Sequence, residues 1–288
     1  MTHIHMIAPS YPISQEDVQF AKQHFESLGL KVTIPSDLLG ADLLCANHDE
    51  ARLSHLKAAL ADPVADIIWL LKGGYGLTRL IPDLFYMEKP RKEKLFIGFS
   101  DGTALHVFLN QAWNWTSIHG AAALQITKNK VGAQTIEMTL RLLREEYHSH
   151  FLPSLTPAND NAKKMSSLTG TLVGGNLCLL TCSLGTNWQI NASDKILFLE
   201  EIDERGYRVD RMLAHLQQVS IFNSAKAIIF GDFVGGNEEN GTSLIPQVLE
   251  RFSNTIPIPV FHLSGCGHGQ ENIPLPFNKN LNFSINFE

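Results

Sequence analysis

The chain of 288 residues lacks the features that mark membrane, nucleic-acid and disulfide-stabilised proteins. No apolar run approaches the roughly 20 residues that a membrane-spanning helix needs. There are 23 Lys and Arg against 29 Asp and Glu, a net charge of −6, and no run of basic residues suited to binding phosphate. The four cysteines show no C-x-x-C spacing and are too few for a disulfide scaffold of this size. We therefore predict reduced thiols and no nucleic-acid or membrane partner.

The composition is that of an ordinary globular protein, with 44% hydrophobic and 18% charged residues. Its length suits one large domain or two medium ones. Residues 1–9 lack a basic segment followed by a long apolar one and are typical of a first strand instead of a signal peptide. A cytoplasmic location is the resulting expectation.

Strand and helix patterns alternate over residues 1–125, which predicts a parallel sheet covered by helices. A further helix is predicted over 128–146. Residues 147–167 are polar and rich in Pro and Asn, which is typical of a linker. We therefore predict an N-terminal α/β domain over 1–146, a linker over 147–167 and a C-terminal domain over 168–288.

A G-x-S-x-G motif, Gly98 to Gly102, directly follows the apolar run 95–97 and precedes a helical pattern. This order of strand, tight turn and helix lifts a serine off the end of a sheet, where it can act as a nucleophile. The helix that follows directs N–H groups toward negative charge developing nearby. So short a motif also arises by chance. The interpretation of Ser100 as a nucleophile therefore depends on partner residues elsewhere in the chain.

A serine nucleophile needs a general base, and His268 is the best placed of the twelve histidines. It lies in a glycine-dense loop, residues 264–270, that leaves its imidazole accessible. His3 and His5 have the H-x-H spacing of metal ligands, but no carboxylate or thiol lies close to them in sequence. No metal site is predicted there.

The base in turn needs a carboxylate to orient it, and the apolar strand 195–199 ends in Glu200 and Glu201. Neighbouring strand residues face opposite sides, so only one of the two can contact the base. The residues alone leave that choice open. The loop Gly73 to Gly76, after the apolar run 67–71, offers backbone N–H groups that could form an oxyanion hole with the N–H of Asp101. A glycine loop can also bind phosphate. Neither of the nucleotide-binding patterns, G-x-G-x-x-G and G-x-x-x-x-G-K-[ST], is present here.

Five collinear blocks together resemble the LD-carboxypeptidase family of serine peptidases, which includes muramoyltetrapeptide carboxypeptidases and microcin-immunity peptidases. They span nearly the whole chain. The blocks are Gly73-Gly74-Tyr75-Gly76 with Arg79-Leu80, residues 97–105 around Ser100, Gly174-Gly175-Asn176-Leu177 with 184–186, residues 197–201 with 207–211, and Gly267-His268-Gly269 with Asn272 and Leu275-Pro276.

The resemblance implies a Ser–His–Glu triad of Ser100, His268 and Glu200, with oxyanion donors at the N–H groups of Gly74 and Asp101. It implies an N-terminal sheet domain of the class I glutamine amidotransferase-like kind and a smaller, strand-rich C-terminal α/β domain. It further implies a homodimer without metal or organic cofactor.

The implied substrate is a murein tetrapeptide, free or muropeptide-linked, from which the terminal D-alanine is removed during peptidoglycan recycling. Such a peptide carries free carboxylates and needs a cationic partner. Arg79, Arg205 and Arg208 lie near the motifs, but none of them is assigned. One departure from the family is Phe277-Asn278 where a glycine is usual; Asn tolerates left-handed backbone angles better than most residues.

Three alternatives remain. A microcin-immunity-type peptidase would share the fold and triad but cleave a toxic aminoacyl-nucleotide conjugate. An α/β-hydrolase esterase also uses G-x-S-x-G, but the break at 147–167 argues against its single continuous domain. A non-catalytic binding module could lack any triad residue, whereas all three are present here.

Overall fold

The computed structural model describes residues 2–144 and 152–287, which form two sheets flanked by helices. In the first half the elements are β1 (His3–Ile7), α1 (Gln15–Ser27), β2 (Lys31–Thr33), α2 (Asp49–Ala61), β3 (Ile67–Leu70), α3 (Ile81–Leu84), β4 (Leu95–Gly98), α4 (Thr103–Ala112), β5 (Ser117–His119), α5 (Ala123–Thr127) and α6 (Ala133–Leu143). In the second half they are β6 (Thr156–Pro157), β7 (Ser167–Asn176), α7 (Leu177–Cys182), β8 (Ile196–Ile202), α8 (Gly206–Gln218), β9 (Ala227–Val234), α9 (Ile245–Thr255), β10 (Val260–Gly267), β11 (Leu275–Phe277) and β12 (Lys279–Ser284).

The first sheet has the strand order β11-β5-β4-β3-β1-β2 within the described residues. Its pairings from β5 to β2 are parallel, and β11 is antiparallel to β5. Every residue of β3 is buried, as the continuous apolar run predicts for a strand covered on both faces. The α/β class and the parallel N-terminal sheet are confirmed.

The second sheet has the order β12-β7-β8-β9-β10-β6 within the same residues. The inner strands β7, β8, β9 and β10 are parallel, and the edge strands β12 and β6 are antiparallel to their neighbours. Strand β12 alternates exposed and buried residues, in line with the period-two pattern at the end of the chain. The predicted second α/β unit rich in strands is therefore present.

The chain crosses between the sheets near its end, because β11 joins the first sheet and β12 then returns to the second. Part of the proposed linker, Thr156–Pro157, forms β6 of the second sheet. Residues 147–151 of that linker lie outside the described residues. The division at 147–167 stays a prediction.

Two helix boundaries illustrate how local signals act. Ser14 precedes α1, and its hydroxyl accepts a hydrogen bond from the N–H of Asp17 at 3.1 Å, as a serine cap commonly does. The helix predicted over 128–146 begins later, at Ala133, because Asn129 adopts φ +49° and interrupts the helical path after α5. Residues 145 and 146 of that prediction lie outside the described residues.

Helix α4 lies between the two units and is buried from Thr103 to Asn110. The Thr103 hydroxyl accepts a hydrogen bond from the N–H of Asn176 at 2.9 Å, where β7 ends. A side chain at Gly175 would overlap Thr103, so glycine permits this close approach. The helix that follows Ser100 is thereby fixed beside the strand that carries Glu200, since Asn176 pairs with Glu200.

No helix among residues 2–144 and 152–287 is both long and apolar enough to cross a membrane.

Asn278 occupies the turn between β11 and β12 in a left-handed conformation, with φ +55°. Its N–H donates to the carbonyl of Leu172 at 2.7 Å, and its side-chain amide donates to Asn114 at 2.9 Å. The turn after Leu275-Pro276 is therefore formed with an asparagine in the left-handed conformation.

We predict that Asn278→Val lowers the free energy of unfolding by about 1–2 kcal/mol, because a β-branched residue strongly disfavours left-handed angles. Asn278→Gly keeps the backbone conformation accessible and should cost less, although it loses the contact with Asn114. Urea unfolding of both variants measures the difference. Equal losses of stability would show that the backbone conformation is not the cause.

Candidate active site

The turn at residues 98–102, which we call the nucleophile turn after its predicted nucleophile, has the strained geometry that the G-x-S-x-G motif predicts. Ser100 follows β4 with φ +57°, a conformation unusual for a residue with a side chain. Side chains at Gly98 and Gly102 would come within 2.8 and 2.9 Å of Leu70 Cδ1, so both glycines permit close packing of the turn on β3. The turn presents the half-buried Ser100 at the carboxyl end of the parallel sheet.

A cavity of about 320 Å³ opens at this turn. Its lining includes Ser100, Gly73, Gly74 and His268. The ring of Phe99 lies 4.6 Å from that of His268 and packs beside it. The structure thus brings the predicted nucleophile, the glycine loop and the predicted base to one cavity, although 168 positions separate the two side chains.

His268 contacts a buried carboxylate behind the cavity. Its Nδ1 lies 2.5 Å from Oε2 of Glu200, whose side chain is fully buried, whereas the His268 side chain is 10% exposed. When Nδ1–H donates to the carboxylate, Nε2 is the nitrogen left to accept a proton. Gly267, at φ +131°, brings the backbone close to Glu200, since a side chain there would lie 3.0 Å from its Cβ.

The two groups shift each other's ionisation. Burial opposes ionisation of the Glu200 carboxyl. The charge of His268 and the nearby imidazole of His119 outweigh the effect of burial and hold the pKa of Glu200 at about 2. Burial likewise lowers the pKa of His268, but the Glu200 carboxylate outweighs it and raises that pKa above its ordinary value of 6.5. The pair favours an ionised carboxylate next to an imidazole that readily takes a proton.

Glu201 faces the opposite side of β8. Its carboxylate accepts hydrogen bonds from the side-chain amide of Asn176 and from the N–H of Cys178, both at 2.7 Å, at the start of α7. Burial raises the pKa of Glu201 to about 7. The residues alone left open whether Glu200 or Glu201 contacts the base. Because the two side chains lie on opposite sides of β8, only Glu200 contacts His268.

A second histidine, His119, which was not among the predicted site residues, lies against Glu200. Its Nε2 is 3.7 Å from Oε1 of Glu200, and both side chains are fully buried. His119 ends β5 and pairs with Gly98, just before the nucleophile turn. That position, at the carboxyl end of a strand next to β4, is the signal that could have identified it.

Asp101 ties the nucleophile turn to the glycine loop. Its buried carboxylate accepts hydrogen bonds from the Ser10 hydroxyl at 2.6 Å and from the N–H of Leu77 at 2.8 Å. Burial raises the pKa of Asp101 to about 6. The two predicted oxyanion donors, the N–H groups of Gly74 and Asp101, belong to segments that this carboxylate joins.

The two histidines of the H-x-H spacing, His3 and His5, each contact a different side chain. His3 Nε2 lies 2.7 Å from the hydroxyl of Thr33, and His5 Nδ1 lies 2.9 Å from a carboxylate oxygen of Asp62. Within residues 2–144 and 152–287 no group of three or more His, Cys, Asp or Glu side chains is arranged to hold a metal ion.

The turn at Ser100, the histidine–carboxylate pair and the two α/β units are together typical of a hydrolase. Residues 4–120 match the N-terminal domain, and residues 169–283 the C-terminal domain, of the LD-carboxypeptidase family model. The chain belongs to the LD-carboxypeptidase family, and the family resemblance of its motifs is confirmed.

Individual proteins agree with this assignment. A Rickettsia conorii relative whose name describes a carboxypeptidase is 38% identical, over 96% of this chain and 86% of its own. The crystal structure of muramoyltetrapeptide carboxypeptidase from Oxalobacter formigenes is 30% identical with a TM-score of 0.79, over 96% of this chain and 92% of that one. An MccF-like protein from Streptococcus pneumoniae, solved in complex with AMP, shares the fold at 20% identity and a TM-score of 0.82, over 98% and 96% of the two chains.

We predict that Glu200→Gln lowers the pKa of His268 below 6.5, because the carboxylate that raises it is removed while burial of the imidazole persists. NMR titration of the imidazole C–H signals measures this shift. Glu201→Gln is the matched control and should lower the pKa of His268 much less. Equal shifts in the two variants would contradict the arrangement described here.

Proposed function

We propose that this carboxypeptidase is of the serine type and removes the terminal D-alanine from murein tetrapeptides. The observation that carries the proposal is the 2.5 Å hydrogen bond between His268 and the buried Glu200, at a cavity that Ser100 also lines. The family, and the 30% identical muramoyltetrapeptide carboxypeptidase, support the choice of substrate. A cytoplasmic location, a role in peptidoglycan recycling and a homodimer belong to the same proposal.

In the proposed reaction His268 Nε2 accepts the proton of the Ser100 hydroxyl while the oxygen attacks the carbonyl of the bond between the diamino acid and D-alanine. The imidazolium that forms is stabilised by the Glu200 carboxylate. Protonation of the amide nitrogen by His268 releases D-alanine and leaves an acyl-enzyme on Ser100. Water, deprotonated by His268, then hydrolyses this ester and restores the serine.

The tetrahedral intermediate carries a negative oxygen that needs donors. We assign this role to the backbone N–H groups of Gly74 and Asp101. Gly74 lines the cavity beside Ser100, and Asp101 directly follows the nucleophile. The hydrogen bond from the N–H of Leu77 to the Asp101 carboxylate supports the assignment, because it holds the glycine loop, residues 73–76, against the nucleophile turn before substrate binds.

The competing function is hydrolysis of an aminoacyl-nucleotide conjugate. It would use the same three side chains, and the fold shared with the MccF-like protein is compatible with it. The two functions differ in what the cavity must recognise next to the scissile bond. They are distinguished by offering the enzyme both kinds of substrate.

We predict that the wild-type enzyme releases D-alanine from purified murein tetrapeptide and that Ser100→Ala releases none above background, because the acyl-enzyme cannot form. Mass spectrometry follows the product, and an aminoacyl-nucleotide conjugate serves as a parallel substrate. Release that persists in Ser100→Ala would refute the mechanism. Wild-type activity on the conjugate alone would favour the competing function.

We predict that Gly74→Ala lowers kcat about 100-fold, the loss typical of an oxyanion donor. Gly74 has φ +118°, and a side chain there would overlap Tyr11, so the loop carrying the N–H must move. Gly29→Ala is the matched control, because Gly29 also has positive φ, at +81°, but lies beyond the end of α1. Steady-state kinetics should show near-normal kcat for the control. A similar kcat in both variants would contradict the role of the Gly74 N–H as an oxyanion donor.

A further inference from the structure

The three arginines near the motifs are already paired with carboxylates. Arg79 Nε donates to Asp49 at 2.8 Å, beside a different cavity. Arg205 Nε donates to Glu238 at 2.9 Å. Arg208 contacts Glu204 at 3.3 Å. A substrate carboxylate at the active site therefore needs another cation.

The active-site cavity supplies three lysines. Lys72, Lys128 and Lys130 line it together with Ser100 and His268, and Asp17 is the acidic residue among the described residues of its lining. This excess of positive charge contrasts with the net charge of −6 over the chain. Cations concentrated in a cleft attract anionic substrates and favour their binding.

The lysines differ in how far their charge is already compensated. Lys128 forms an ion pair with Asp17 at 2.5 Å. Lys72 donates to the carbonyl of Pro12 at 3.1 Å and lies 5.9 Å from the Tyr11 ring, so it has a neutral partner and keeps its net charge. Lys130 is exposed and has no side-chain hydrogen bond or ion pair to the described part of the chain.

The backbone holds Lys130 at the cavity, although its side chain has no hydrogen bond or ion pair with residues 2–144 and 152–287. Its N–H donates to the carbonyl of Gln125 at 2.8 Å, and the preceding Asn129 adopts φ +49° to close this turn after α5. The ammonium group is therefore attached to a fixed rim and keeps its bonding capacity for a ligand.

We propose that Lys130, assisted by Lys72, binds the terminal carboxylate of the peptide substrate, while the ion pair of Lys128 with Asp17 limits the charge of this subsite. The inference rests on the proposed function and names the residues that recognise the free C-terminal carboxylate of a carboxypeptidase substrate. In such a peptide the carboxylate carbon lies about 3–4 Å from the scissile carbonyl carbon, by standard bond lengths. A cation in the cavity of Ser100 is therefore suitably placed, and its presence selects a carboxypeptidase over an endopeptidase.

The test compares murein tetrapeptide with the same peptide amidated at its C-terminus. Lys130→Ala should raise KM for the acid about tenfold, the loss of one charge-assisted contact, and Lys130→Ala/Lys72→Ala should raise it further. Asp17→Asn should lower KM for the acid severalfold, because it releases the charge of Lys128. The amide should bind weakly to the wild type and be nearly insensitive to all three changes. Lys22→Ala, on the exposed face of α1, is the control.

Calorimetry with Ser100→Ala supplies a readout that does not depend on turnover. The tetrapeptide acid should bind more tightly than its amide, and adding Lys130→Ala should reduce the difference about tenfold. Unchanged KM and affinity in the lysine variants would overturn the subsite, as would equal losses for acid and amide. Lysine effects confined to an aminoacyl nucleotide or AMP would also overturn it. An absence of D-alanine release by the wild type, with acid-selective binding intact, would instead refute the proposed function alone.

Discussion

The structure of the site depends on one buried carboxylate that faces both units of the fold. Glu200 ends the apolar part of β8 in the second sheet, out of contact with water. His268 meets it from the end of β10, two strands away, and His119 lies on its other side from β5 of the first sheet. A buried charge is costly unless it is paired, so the position of the imidazole is coupled to the packing of the sheets.

The chain path after His268 reinforces this coupling. Strand β11 adds to the first sheet next to β5, and β12 then pairs with β7 of the second. The segment that carries the imidazole is thus anchored on both units within a few residues. A second buried carboxylate, that of Asp101, joins the strained nucleophile turn to the glycine loop. Together the two contacts preorganise a site assembled from distant parts of the chain.

Much of this could be predicted from sequence, because several signals are local. The buried run of β3 and the tight turn at Ser100 each follow from a few neighbouring residues. The family resemblance selected Glu200 over Glu201, and the sheet supplies the physical reason, since the two face opposite sides of β8. The contact of His119 with Glu200 and the hydrogen bonds of the Asp101 carboxylate do not follow from local patterns, because they join segments far apart in the chain.

The sequence by itself determined the α/β class, the family and the residues of the proposed serine-type site, because periodicity and short motifs are properties of adjacent residues. The tertiary structure alone decided which arginines are already paired and which lysines line the cavity, and it supplied the physical reason why Glu200, and not Glu201, contacts His268. Those are questions of distance and burial between segments brought together by sheet packing. No pattern along a single chain contains them.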